Sequence, residues 1–374
     1  MNAIRRRGPG ARVFALVPAG ALLLLGLYAG LVLIGLPLPA LADRLAELHA
    51  PLLVFGFVGT LIALERAVAL ARRAWFAAPA LLAAGALLCL APVPLIVGQA
   101  AVSAGLLIHV LQYVAIWRRQ AMTATAVQSL GAVTALAAAL AWCGGTPPTR
   151  LVPMLACFLI LAIAGERLEL ARLNSPGLVA ERLLFIIGLS LAASTTLALT
   201  MPVVAIPMSG AVLLGLVAWL LRYDVARVTV RSRGLPRFAA ACLLAGYAWL
   251  GVAGAGWLLG GARTEGAVYD ATTHAIFLGF VITMIMAHAP IILPAVIRVD
   301  LPYHPVLYAP VALLQFTLLV RVVAGDAWGM TTALQIGGLG AAIAIVLFFA
   351  TSAALAVRGT HTRASEKEAH HVTA

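Results

Sequence analysis

Six ionisable side chains lie inside or at the ends of long apolar segments of this chain. The histidines are His49, His109, His274 and His288, and the carboxylates are Glu65 and Glu166. A titratable group inside an apolar helix is costly to keep, so each is a candidate functional residue. Neutral imidazole ligates haem iron and copper, and a carboxylate can orient such a ligand or carry a proton.

Four of these groups belong to a repeated helix. The segment LGFVITMI at 278–285 echoes FGFVGTLI at 55–62, and a His-Ala pair precedes each copy, at His274 and at His49. The repeat indicates that these two helices carry the chemistry, and that the rest of the chain is scaffold.

The spacing of the histidines is compatible with two haem sites at different depths. His274 and His288 are 14 residues apart, so they share one helix face at a separation of about 21 Å. In cytochrome b-type bundles, one helix supplies axial ligands to two haems in this way. The expected partners are His49 for His274 near the outer surface, where the depths match, and His109 for His288. Alternatively, each imidazole bridges helices through a backbone carbonyl.

Met284 lies one helical turn before His288 and projects from the same face. A thioether beside an imidazole suits Cu(I) or an axial position on haem. The alternative is that Met284 fills a gap in an apolar interface, as methionine commonly does.

Two Glu-Arg pairs end predicted helices on the cytoplasmic side. Glu65 precedes Arg66, and Glu166 precedes Arg167. These carboxylates could form a proton path or orient a ligating histidine, or they could cross-link helix ends as ion pairs. Glu65 is the stronger functional candidate because it occupies the place of His288 in the repeat, nine residues after the shared glycine.

Arg321 is a basic residue well inside an apolar segment. Snorkelling toward the outer surface would accommodate it at little cost. It could instead pair with haem propionates or another anionic ligand near the outer site.

The composition identifies a polytopic membrane protein. Of 374 residues, 63% are hydrophobic and 10% are charged, and the mean hydropathy is +1.05. About 20 apolar residues span a bilayer, and only helices or closed barrels do so. Since no alternating barrel pattern is present, we predict an all-α bundle of about 12 transmembrane helices. They fall at roughly 13–36, 47–66, 75–97, 98–117, 122–143, 150–170, 180–201, 203–221, 236–259, 270–297, 303–324 and 328–357.

The basic residues predict the orientation of the bundle, because cytoplasmic loops collect Arg and Lys. Of the 25 such residues, only Arg44, Arg150, Arg263 and Arg321 fall on the opposite side. We therefore expect cytoplasmic termini, a single transmembrane domain over 1–357 and a disordered cytoplasmic tail over 358–374. The net charge of +12 reflects this topology, and nucleic-acid binding is not expected because no loop is long enough to form a basic face.

Two motifs resemble the NnrS family. They are the helix that begins HAPLLVFGFVGT at 49–60, with its echo after His274, and the segment APVALLQFTLLVRVVAG at 309–325. The resemblance implies a bacterial inner-membrane protein of twelve helices that binds haem and copper, linked to the nitric oxide response and to denitrification. It points to His49 and His274 as ligands. Pro51 stands where the family usually has a second histidine, and DLPYH at 300–304 replaces its Gly-His turn, so haem is favoured over copper.

The expected function is therefore haem binding, of the b type, with copper as a further candidate. Such a protein would bind nitric oxide or another diatomic gas, or pass electrons near the outer face of the membrane. A twelve-helix secondary transporter and an assembly factor for a membrane oxidoreductase are the alternatives. Nothing in the chain indicates catalytic turnover.

Overall fold

The computed structural model describes residues 16–39, 41, 44–171, 177–297 and 301–372, the last fourteen by their backbone alone. Helices and no strands occur in these ranges, and twelve helices are long and apolar enough to cross a membrane. We label them α1 to α12: Leu16–Leu33, His49–Leu70, Arg73–Leu90, Leu95–Arg119, Thr123–Cys143, Pro148–Ala171, Gly177–Leu197, Pro202–Tyr223, Leu235–Gly260, Ala267–Ile291, Pro305–Ala327 and Thr331–Arg358. The predicted all-α bundle of twelve spans is confirmed, while the orientation of its termini stays a prediction.

The central helix of the bundle is α6. The apolar 18-residue stretch of α6 is 89% buried, the largest share among the twelve helices. The reason is that α5, α7, α2 and α10 all contact α6. Helices adjacent in sequence also pack on one another, and α12 contacts α1, so that the chain closes around α6. A polar residue within the buried part of α6, such as Arg167, is therefore held inside the protein.

Both copies of the repeated helix contain a π-helical segment in the same register. Leu52–Gly59 in α2 and Ala275–Ile282 in α10 are π-helical, and each begins four residues before the shared glycine, Gly56 or Gly279. A π-helix closes i→i+5 hydrogen bonds and is frequently found at functional sites. A third segment, Val320–Ala327, is π-helical in α11. The repeat is thus structural as well as sequential.

The backbone of α12 continues beyond the span, from Thr331 to Val372, and the disordered tail over 358–374 stays a prediction. Residues such as Ala, Glu and Lys in this stretch favour helix and can extend it into water. Residues 373 and 374 lie outside the described part of the chain, as do Arg172, Arg298 and the basic residues before Leu16 on which the orientation rule partly rests.

Candidate functional site

His49 is held at the junction of α1 and α2. Its Nδ1 lies 2.7 Å from the backbone oxygen of Gly26, and because a carbonyl can only accept, Nδ1 carries the proton. The ring lies against Gly30, where an added Cβ would come within 2.7 Å of Cε1 of His49. This arrangement leaves Nε2 without a hydrogen-bond partner among the described residues, so its lone pair is available to a ligand.

His274 is oriented in the same way within α10. Its Nδ1 lies 2.9 Å from the backbone oxygen of Asp270 and 3.3 Å from the Oδ1 atom of that residue. Both oxygens are acceptors, so Nδ1 again carries the proton and Nε2 is available. Histidines that ligate metals usually donate their other ring N–H to a carbonyl or carboxylate in this manner. His274, Asp270 and Arg321 all interact electrostatically with His49, so both imidazoles belong to one outer cluster.

Arg321 pairs with Asp270 inside the protein, whereas the sequence offered snorkelling or pairing with an anionic ligand as the alternatives. Its Nε and Nη2 atoms lie 3.0 and 2.9 Å from the two carboxylate oxygens of Asp270. The arginine is only 4% exposed, because the glycines at 337 and 338 of α12 let its side chain pack against their backbone. The charge of Arg321 is therefore compensated by Asp270, so Arg321 is less available to bind haem propionates.

Asp326 adds a buried carboxylate to the outer cluster, beside the partly exposed Asp270. It is 9% exposed, it neighbours Asp270 and Arg321, and its Oδ2 has no hydrogen-bond partner among the described residues. The sequence interpretation missed both aspartates. The signal for Asp270 was available, because it lies one helical turn before His274 and so shares its face.

At the other end of the bundle, Arg66 links α2 to α6. Its Nη2 lies 2.8 Å from Oε1 of Glu166 and 3.4 Å from Oε1 of Glu65. These contacts are the cross-link between helix ends that the sequence offered as one alternative. Glu65 has the looser contact and is the more exposed of the two carboxylates, at 31% against 23%.

His288 is engaged through both ring nitrogens. Its Nδ1 lies 2.7 Å from the backbone oxygen of Met284, and its Nε2 lies 3.2 Å from Nη1 of Arg167. Arg167 also makes two hydrogen bonds of 2.6 and 2.9 Å to Asp224, which accepts a third from Tyr247 at 2.9 Å. With neither nitrogen free, His288 does not fit a metal ligand, and its spacing from Met284 is better explained by this backbone hydrogen bond and by packing.

His109 and His288 make separate sets of contacts, and their pairing as ligands of a second haem stays a prediction. Its Nδ1 lies 2.8 Å from Oε1 of Gln112 within α4, and its ring packs against Tyr113 and Phe158. Gln112 in turn donates to the backbone oxygens of Ala63 and Trp75. None of the contacts of His109 is shared with His288. The hydrogen bond of His109 stays within α4 and its Nε2 has no hydrogen-bond partner among the described residues, so His109 does not bridge helices through a backbone carbonyl.

The described residues favour a ligand set of two imidazoles over a metal cage. No group of three or more His, Cys, Asp or Glu side chains in the described ranges is arranged to hold a metal ion. Axial ligation of haem needs two histidines only, and His49 and His274 lie in one cluster at the same end of the bundle.

Comparison with known proteins adds one finding. The profile of a family described as a domain of unknown function (DUF8744) matches residues 12–357, which include all but one residue of the twelve spans. No curated protein and no solved structure matches the chain.

Proposed function

The chain belongs to the DUF8744 family, whose function is unknown, and from its outer cluster we propose that it is a haem-binding membrane protein with His49 and His274 as axial ligands. One observation carries this proposal. Both imidazoles commit Nδ1 to a backbone carbonyl, of Gly26 or Asp270, and leave Nε2 uncommitted in the same charged cluster. The resemblance to NnrS points to the same two residues.

The surrounding residues would orient the ligands and keep water away from them. Asp270 fixes the ring of His274 and is itself fixed by Arg321. Gly30 lets the ring of His49 lie directly on α1. When bound, haem b supplies one-electron redox chemistry or an iron position for nitric oxide or another diatomic gas.

Copper is the weaker part of the proposal. The chain would have to bind it through His49 and His274 alone, because both nitrogens of His288 are engaged.

We also propose that the protein lies in a bacterial inner membrane and acts in the nitric oxide response or denitrification, as its resemblance to NnrS implies.

An absorption spectrum with metal analysis tests the proposal. The full chain, purified in detergent and supplied with haem during expression, should show a Soret band and bound iron. His49→Ala and His274→Ala should each abolish or displace the band, whereas the control His109→Ala should retain it. A colourless protein without iron, or a band that both outer variants leave unchanged, would refute the proposal.

A secondary transporter is the second candidate, because one feature of the inner end favours it. A cavity of about 140 Å³ lies between α1, α2, α6, α10 and α12, and Glu65, Glu166 and His288 are its ionisable residues. Intramembrane carboxylates mark ion and proton pathways in transporters. A colourless protein that moves a solute into vesicles only under a proton gradient would favour this function over haem binding.

A further inference from the structure

The inner cavity is built by equivalent residues of the two repeated helices. Five positions of α2 and five of α10 line it, and four of the five in each helix lie at the same distances from the shared glycine. The equivalent pairs are Val58 with Val281, Leu61 with Met284, Ile62 with Ile285, and Glu65 with His288. The cavity is therefore a pseudo-symmetric slot whose last pair of side chains is polar.

The size of the slot matches a single six-membered ring. An apolar cavity of about 150 Å³ holds benzene, and this one measures about 140 Å³. Apart from its ionisable residues its walls are apolar side chains and Met284. Leu16, Leu61 and Phe349 are among them and are only partly buried, so the slot is open toward the lipid side, where a lipid-soluble molecule can enter.

The polar end of the slot offers acceptors to a ligand. Among the described residues the ionic contact of Glu65 is the 3.4 Å approach of Arg66, which leaves most of the accepting capacity of its carboxylate unused. His288 lies at the same end with both ring nitrogens engaged, Nδ1 by the backbone oxygen of Met284 and Nε2 by Arg167. A ring that carries a hydroxyl donor would supply a hydrogen bond to the carboxylate of Glu65.

We infer that the cavity binds the ring of a lipid-soluble hydroquinone, with one hydroxyl donating to the carboxylate of Glu65. The inference is independent of the haem proposed at the outer cluster, since neither His49 nor His274 lines this cavity. A hydroquinone donates two hydrogen bonds, whereas the oxidised benzoquinone only accepts. Because the slot offers a hydrogen-bond acceptor, it should bind the hydroquinone more tightly than the benzoquinone.

The test measures binding of decyl hydroquinone and decyl benzoquinone to the full chain in detergent, by equilibrium dialysis under argon. The wild-type protein should bind the reduced form at least tenfold more tightly, since a lost hydrogen bond to a charged group has about this effect. Glu65→Gln provides an amide donor to a quinone carbonyl and should reduce the preference to threefold or less. Equal affinity of the wild-type protein for both forms would overturn the inference, as would an unchanged preference in Glu65→Gln.

Steric variants test the location. Ala162→Trp places a large ring in the slot and should weaken binding of both forms at least tenfold, and Leu61→Trp should do the same from another wall if the first variant fails to fold. Leu189→Trp, on the exposed surface of α7, is the matched control and should bind as the wild type does. Decanol should displace the bound hydroquinone poorly. If decanol displaces it as effectively as unlabelled hydroquinone does, the slot accepts any alkyl chain and the inference is overturned.

One further control separates this site from the proposed haem site. Hydroquinone binding should persist in the His49→Ala/His274→Ala double variant, whatever its Soret band shows. Loss of binding in that variant, with the fold retained, would contradict a separate inner site.

Discussion

Arg321 of α11 and Asp270 of α10 form an ion pair with two hydrogen bonds, of 3.0 and 2.9 Å, and the backbone oxygen of Asp270 accepts from Nδ1 of His274. The pair thus joins two helices at the residue that orients a proposed ligand. Because the arginine is buried, neither charge can be removed alone without leaving the other uncompensated.

Breaking this pair should destabilise the outer end. We expect Arg321→Met to lower the free energy of unfolding by about 3–5 kcal/mol, as measured for buried pairs that lose one partner. The thermal midpoint in detergent would report this loss. Arg263→Met is the matched control, because Arg263 is exposed and makes only a 3.5 Å contact to a backbone oxygen. The Arg321→Met/Asp270→Leu double variant should be less destabilised than the sum of its single variants, and strict additivity would argue against the coupling.

Gly30 provides a steric test of the position of His49. An alanine Cβ at this place would lie 2.7 Å from Cε1 and 3.1 Å from Nδ1 of the imidazole, so the ring must move. Gly30→Ala should therefore displace or weaken the Soret band of haem-loaded protein. Gly20→Ala is the control in the same helix, since nothing lies within 4 Å of its added Cβ. Equal spectra for the two variants would mean that the placement of His49 does not matter for the ligand.

The inner network should depend on Tyr247. Its hydroxyl donates to Asp224, which also binds Arg167, so Tyr247→Phe removes one of the donors to a buried carboxylate. We expect a loss of about 1–3 kcal/mol, measured by thermal unfolding in detergent. Tyr28→Phe is the comparison, because Tyr28 donates to the backbone oxygen of Pro39 in exposed surroundings and should cost less. A larger effect at Tyr28 would contradict this ranking.

The predicted orientation can be read from cysteine labelling. In a background with the half-buried Cys143 replaced by alanine, we expect Thr149→Cys to react with a membrane-impermeant maleimide on intact cells. Arg231→Cys should react only after the membrane is opened. Both positions are exposed and lie at opposite ends of the bundle. The reverse pattern would place the termini outside the cytoplasm.

Much of the fold follows from local properties of the chain. The length and apolarity of each segment decide whether it can span a bilayer, so the twelve helices and most of their bounds were predictable. The echo around Gly56 and Gly279 was also visible, but the π-helical turns within it were not, because they depend on how a helix is packed.

The sequence by itself determined that this is a twelve-helix membrane protein, and it determined which histidines and glutamates deserved attention, because residue type and spacing along one helix are local facts. Only the tertiary structure decided their partners. Asp270 pairs with Arg321, and Arg167 pairs with Asp224, although the partners are more than fifty positions apart in the sequence. His109 hydrogen-bonds to Gln112 in its own helix. The physical reason is that the rotation of each helix about its axis is set by the summed weak contacts of all its neighbours. A pattern along one segment does not contain that sum.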